Sequence, residues 1–186
     1  MTPGERAFIR AVPSEVSHRT YVDVSWLMES AECLLWSLGL IDRLPAYDTQ
    51  ADVEHLARVP ADSARALVSS ARLRPMEAIS KARDIAELWH WRARTRQLQE
   101  SGEPVRLPEG MTLARIVQIT AEQAASDGLF DAPLGNDFPA FERPYRDLSP
   151  DEWSQAMSIA VERHRAFNWL CGCAPGNRWD ETPTDT

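Results

Sequence analysis

The sequence predicts an all-α protein, a single-domain helical bundle of about six helices spanning residues 1–186, and three observations carry that expectation. Apolar side chains recur at intervals of three and four in several long segments, the period of one helix face. Two segments begin with a hydroxyl residue followed by proline and then glutamate, the grammar of a capped helix start. No segment sustains the two-residue alternation of a strand. The chain of 186 residues is long enough for one well-buried core and short for two. Its 44% hydrophobic and 26% charged residues are those of a globular domain rather than a disordered one.

The first helix should open at "TPGE", Thr2–Glu5, where Thr2 caps, Pro3 occupies the first turn and Glu5 reaches back to the cap. "SEVSHRTYVDVSWLMESAECLLWSLGL" reads as one or two helices with Val22, Trp26, Ala31 or Cys33, Leu34 and Leu38 along a face, and Gly39 as the stop. "LPAYDTQAD" is a turn, and "ADVEHLARVP" reads as a helix ended by Pro60. The clearest long helix runs from Pro75 to about Gln99. Met76, Ile79, Ala82, Ala86, Trp89 and Ala93 form one face, and Ile85, Leu88 and Trp91 widen it, so burial on more than one side is expected. After the connector "ESGEPVRLPEG", Leu113, Ile116, Val117, Thr120 and Ala124 mark another helix that ends near Gly128.

Residues 128–149 carry three prolines, with a fourth at Pro150, together with Phe130, Phe138, Phe141 and Tyr145. So long a structureless run is uncommon in a compact domain, and an arm pinned to the surface by its aromatics is the expected explanation. The last helix begins at "SPDE", Ser149–Glu152, and continues to about Cys171 through Trp153, Ala156, Met157, Ala160, Val161, His164, Phe167 and Asn168. An irregular tail, residues 172–186, closes the chain. Burying the Trp179 ring is worth about 2–3 kcal/mol, so the tail should fold back onto the bundle. Asp180 or Asp185 meeting Arg74 or Arg163 is the preferred pairing.

A formal charge of −8 argues against nucleic acid and against anionic membrane as partners. Lys81 is the only lysine. Three cysteines, Cys33, Cys171 and Cys173, suggest no disulfide framework. No run is long and apolar enough to cross a membrane, and the first residues lack a signal peptide's apolar segment, so a cytoplasmic location is expected.

Candidate chemistry centres on the last helix. His164 and Asn168 lie one turn apart on its apolar stripe, either as pocket residues or as core groups satisfied internally. Glu162, Arg163 and His164 are consecutive and fan out by about 100° each, which leaves Asp84, Glu87 or His90 on the long helix as partners for the imidazole. The spacing of His164, Cys171 and Cys173 is poor for zinc, and neither metal nor cofactor is expected. Residues 72–96 hold seven basic and three acidic side chains, and residues 120–152 hold two basic and eight acidic ones. These charges either form a basic recognition face or balance internally. No phosphate loop, paired metal-binding histidines or nucleophile elbow is present.

"LRPMEAISKARDIAELWHWRAR", "VERHRAFNWLCG" followed by "RWDETPTDT", and "AECLLWSLGL" together resemble the bacterial family called domain of unknown function 4272. The likeness runs from about Glu5 to Thr186 and is most specific at the ending. It implies a chain shortened at its N-terminus relative to other members. "EAISKARDIAEL" departs from the family's habit of Leu-Asp after the isoleucine. The positions it singles out are Arg74, Glu77, Asp84, His90, Trp91, Glu162, Arg163, His164, Asn168, Trp169, Trp179, Asp180, Asp185 and Thr186. The resemblance implies no established activity. Acidic charge, abundant tryptophan and missing catalytic motifs point to a non-catalytic protein-binding module, an adaptor or immunity-type protein, with self-association as a further expectation. The alternative is a small-ligand binder or enzyme with a His/carboxylate pocket between the long helix and the last one.

Overall fold

The structure is a computed structural model that describes residues 2–12, 14, 16–59 and 64–186. Among these residues the fold is all-α: α1 (Pro3–Arg10), α2 (His18–Ser37), α3 (Ala64–Ser70), α4 (Met76–Ser101), α5 (Leu113–Ser126) and α6 (Pro150–Leu170), with one small hairpin of β1 (Pro139–Ala140) and β2 (Arg143–Pro144). The chain divides into two compact units. The first contains Met1–Leu44, Ala51–Arg83 and Glu162–Asp185; the second contains Pro45–Gln50, Asp84–Val161 and Thr186. The division falls within α4 and α6, so each of these helices supplies turns to both units.

In the first unit, Thr2 and Glu5 form the expected reciprocal cap on α1, with bonds of 2.8 and 3.1 Å. One continuous α2 starts at its cap Ser17. Its buried face shares Cys33 with the apolar stripe expected from spacing, but Val22 is exposed, and Glu29, Ser30, Glu32, Leu35 and Ser37 are buried. Periodicity alone assigns carboxylates to solvent, and here buried donors overrule it. Gly39 ends the helix at φ 69°, and a Cβ there would meet the Arg72 carbonyl oxygen at 2.7 Å, so both dihedral and space require glycine. Arg74 caps the end of α2, donating to the carbonyls of Trp36 at 2.7 Å and Ile41 at 3.0 Å while lying 4.6 Å over the Trp36 ring. The segment Val53–Arg58, where a helix was expected, is a 3-10 helix, and Pro60, the expected stop, lies outside the described residues. Helix α3 had no periodic signal of its own.

The second unit is built around Trp89. Tyr47 stacks on it at 5.1 Å, and Phe138 meets it edge-on at 5.2 Å. Ala93, Ala121, Ala124, Ala140, Tyr145, Leu148, Ala156 and Ala160 complete this core. The proline-rich arm is pinned by its aromatics, as expected: Phe138 and Tyr145 are almost wholly buried, while Leu134, Gly135, Asn136, Glu142, Arg143, Arg146 and Asp147 along it are exposed. Its backbone is organised by two tight turns. Gly135 and Asn136 turn with positive φ between Leu134 and Asp137, which exchange backbone bonds of 3.0 and 2.9 Å. Phe141 and Glu142, at φ 50° and 59°, join β1 to β2. A left-handed residue other than glycine costs about 1–2 kcal/mol, and the bond from the Phe141 amide to Asp48 at 2.7 Å helps offset it. Helix α6 begins on the Ser149–Glu152 reciprocal cap, whose backbone bond holds the Glu152 carboxyl below its ordinary range.

Candidate functional site

The three consecutive residues Glu162, Arg163 and His164 do fan out, and each finds a different partner within the first unit. Arg163, with no exposed surface, grips Glu29 of α2 through Nε and Nη2, both at 2.9 Å. The other oxygen of Glu29 accepts the Ala51 amide at 2.7 Å. One turn further along α2, Glu32 accepts Nδ1 of His55 at 2.5 Å and the Asp52 amide at 3.4 Å. Two carboxylates at a spacing of three on α2 thus hold the start of the 3-10 helix. Glu162 accepts the Ser30 hydroxyl at 2.9 Å and an Arg165 nitrogen at 2.7 Å. Burial raises its pKa, and Arg165 and Ser30 work against that rise. Cys33 sits among these charges with no exposed surface, and burial pushes its thiol pKa far up. It is a packed apolar group, not a nucleophile.

Asn168 is the second hub. Its amide oxygen accepts Nε of Arg83 at 2.8 Å, which fixes the orientation of the amide, because guanidinium has nothing to accept with. Both amide hydrogens then point elsewhere, one to Nε2 of His164 at 2.9 Å and one to the Pro183 carbonyl at 2.8 Å. Burial first, and the Arg83 charge second, push the His164 pKa down to about 4. The imidazole is accordingly neutral at pH 7, accepts at Nε2 and carries its proton on Nδ1. The tail is fastened by the same residue. Trp179 meets Trp169 edge-on at 5.7 Å, and Trp169 Nε1 donates to the Asn177 carbonyl at 3.2 Å.

In the second unit, Arg92 and Asp137 form a buried two-pronged pair at 2.6 and 2.7 Å, each 1% exposed. Arg96 donates to the carbonyls of Tyr145 at 3.0 Å and Leu148 at 2.9 Å. Two arginines of α4 thereby anchor the arm.

A family model described as "Domain of unknown function (DUF4272)" matches residues 1–120. The chain belongs to this family. The DUF4272 match takes in α1 to α4 and most of α5, with Arg74, Arg83, His90 and Arg92, and ends before the arm, α6 and the tail. No curated protein and no solved structure matches the chain.

The positions singled out in this DUF4272 chain are divided between the two units. Glu162, Arg163, His164 and Asn168 are all enclosed and committed in the first unit. Arg74 is occupied with carbonyls at the end of α2. The expected pairing of Asp180 or Asp185 with Arg74 or Arg163 is not formed: both acids are exposed, and an enclosed Arg163 takes an enclosed carboxylate, Glu29. Glu77 is exposed on the first turn of α4. Asp84, His90 and Trp91 belong to the second unit, where His90 is 4% exposed and Trp91 packs 6.5 Å from Phe138. Arg83 of α4 bonds to Asn168 in the first unit, and its charge bears on the imidazole of His164. Glu29, Glu32, Arg83, Arg92 and Asp137 were missed. A readable hint existed for Glu29, since an arginine on an apolar stripe demands a carboxylate from somewhere.

Proposed function

We propose that this chain is a non-catalytic protein-binding module of the bacterial cytoplasm, an adaptor or an immunity-type neutraliser. The observation that carries the reading is the exposure of Ile9, Val12, Val53, Val68, Leu73 and Met76, each more than half exposed and all in the first unit. In the second unit the most exposed large apolar side chains among the described residues are Ile119 at 42% and Leu134 at 37%. Covering a large aliphatic side chain is worth about 1.5–3 kcal/mol, so a partner that seats several of them gains a substantial association energy. The chain's acidic balance favours a basic partner. Further support comes from His164: an enclosed, neutral imidazole already engaged by Asn168 is a poor general base, which weighs against the His/carboxylate pocket.

The test is affinity capture with the full chain from its native cytoplasm, run beside Val68→Glu/Leu73→Glu, with the melting temperature of both proteins as a folding control. A stoichiometric partner retained by the parent and lost by the folded double variant supports the reading. Recovery of no such partner, or equal recovery by both, overturns it. A dimer in light scattering that the double variant dissociates assigns the surface to a second copy instead.

A further inference from the structure

We propose that the second unit carries a binding site for a small phosphate monoester, in the cleft between the start of α5 and the turn at residues 134–137. The cleft has a volume of about 370 Å³, within the range of about 300–1,000 Å³ that small-molecule sites occupy. Three arginines line it, Arg92, Arg115 and Arg146, against one acid, Asp137.

That acid is already spent. Asp137 accepts Arg92 Nε at 2.6 Å and Nη2 at 2.7 Å, and the amides of Phe138 at 2.7 Å and Arg146 at 3.0 Å. Two positive charges therefore remain, those of Arg115 and Arg146. Arg146 is steered into place by its bond to the Gly135 carbonyl at 2.6 Å, with Asp147 a loose and solvated neighbour at 3.7 Å. Arg92 keeps one buried nitrogen, Nη1, that has no acceptor among the described residues. A charged donor left this way is costly, but this nitrogen is closed to solvent, so Arg115 and Arg146 rather than Nη1 meet a ligand in the cleft. The first turn of α5, with Thr112, also opens on the cleft and adds the positive end of a 14-residue helix.

Two surplus charges match a dianion, which selects a phosphate monoester over a single carboxylate. Gln99 and Asn136, which also line the cleft, can exchange hydrogen bonds with hydroxyl groups on the body of the ligand. The protein as a whole is strongly acidic, so a phosphate does not gather on it through net charge, and saturable binding reports this cleft.

The experiment is calorimetric titration of the full chain at constant ionic strength with inorganic phosphate, glycerol 1-phosphate and succinate. It compares the parent with Arg115→Gln and with Arg19→Gln, a control that removes the same charge from an exposed site in the first unit. Arg115 makes no side-chain bond among the described residues, so its loss does not threaten the fold. Glycerol 1-phosphate should bind saturably, more tightly than succinate, with affinity cut about tenfold in Arg115→Gln and unchanged in Arg19→Gln. No saturable binding of either phosphate, equal losses in the two variants, or succinate binding as tightly as glycerol 1-phosphate would each overturn the proposal.

Discussion

The Asn168 amide nitrogen donates to Nε2 of His164 at 2.9 Å and, with its other hydrogen, to the Pro183 carbonyl at 2.8 Å. One side chain thereby sets the tautomer of a buried imidazole and fastens the end of the chain to α6. Its own oxygen is occupied by Arg83 at 2.8 Å, so neither task can be exchanged for the other by flipping the amide.

The first prediction concerns acid. His164 titrates near 6.5 in an unfolded chain, and in the fold its pKa is pushed down to about 4, by burial first and by Arg83 second. Between those values the unfolded chain binds more protons, so this stability is fully present above pH 6.5 and is lost as pH falls toward 4, by up to about 3 kcal/mol. Glu162 acts in the opposite sense near the acid end, because burial raises its pKa and the folded state takes up that proton first. The urea midpoint should fall between pH 7 and pH 5. His164→Gln, which keeps an acceptor toward Asn168, should flatten that dependence; an unchanged slope refutes the assignment.

Asn168→Asp keeps an acceptor for Arg83 but has no hydrogen for His164 or Pro183. The His164 pKa should rise, because a carboxylate now favours the charged ring, and NMR titration of the ring protons measures it. Trypsin should cut after Arg178 faster than in the parent, since the tail has lost its bond at Pro183. An unshifted imidazole and an equally resistant tail would show that the hub described here is not formed.

Removing one partner of the Glu29–Arg163 pair strands a buried charge. Glu29→Leu should cost about 3–5 kcal/mol in chemical unfolding. Glu29→Leu with Arg163→Leu should cost clearly less than the sum of the two single variants. Additive costs would place the two side chains out of contact.

Asp137→Ala should destabilise the second unit by a similar amount, about 3–5 kcal/mol, because it abandons Arg92 and also two backbone amides. Amide hydrogen exchange should quicken across residues 134–148 before it does in α1 or α2. Uniform acceleration over the whole chain is the contrary outcome.

The arm shows where sequence reading loses its grip. Its hairpin turns on Phe141 and Glu142, both at positive φ, whereas the residues that advertise such a turn are glycine and asparagine. Gly135-Asn136 does carry that signal, and it marks the other two-residue bend of the arm. Aromatic content showed that the arm would be pinned, but not which of its polar groups would be enclosed with Phe138 and Tyr145. That was decided by Arg92 and Arg96, which supply the donors that buried arm backbone and Asp137 require.

Taken by itself, the sequence determined the helical class, the starts of α1 and α6 and the long runs of α4 and α5, because caps and periodic faces act over three or four residues. Tertiary structure alone decided which charged groups live inside. Glu29 and Arg163 are 134 positions apart, and nothing local to either states that the other will arrive. A carboxylate on α2 has the same local preferences whether water or a guanidinium faces it; only the approach of distant chain makes burial affordable, and that approach is the fold.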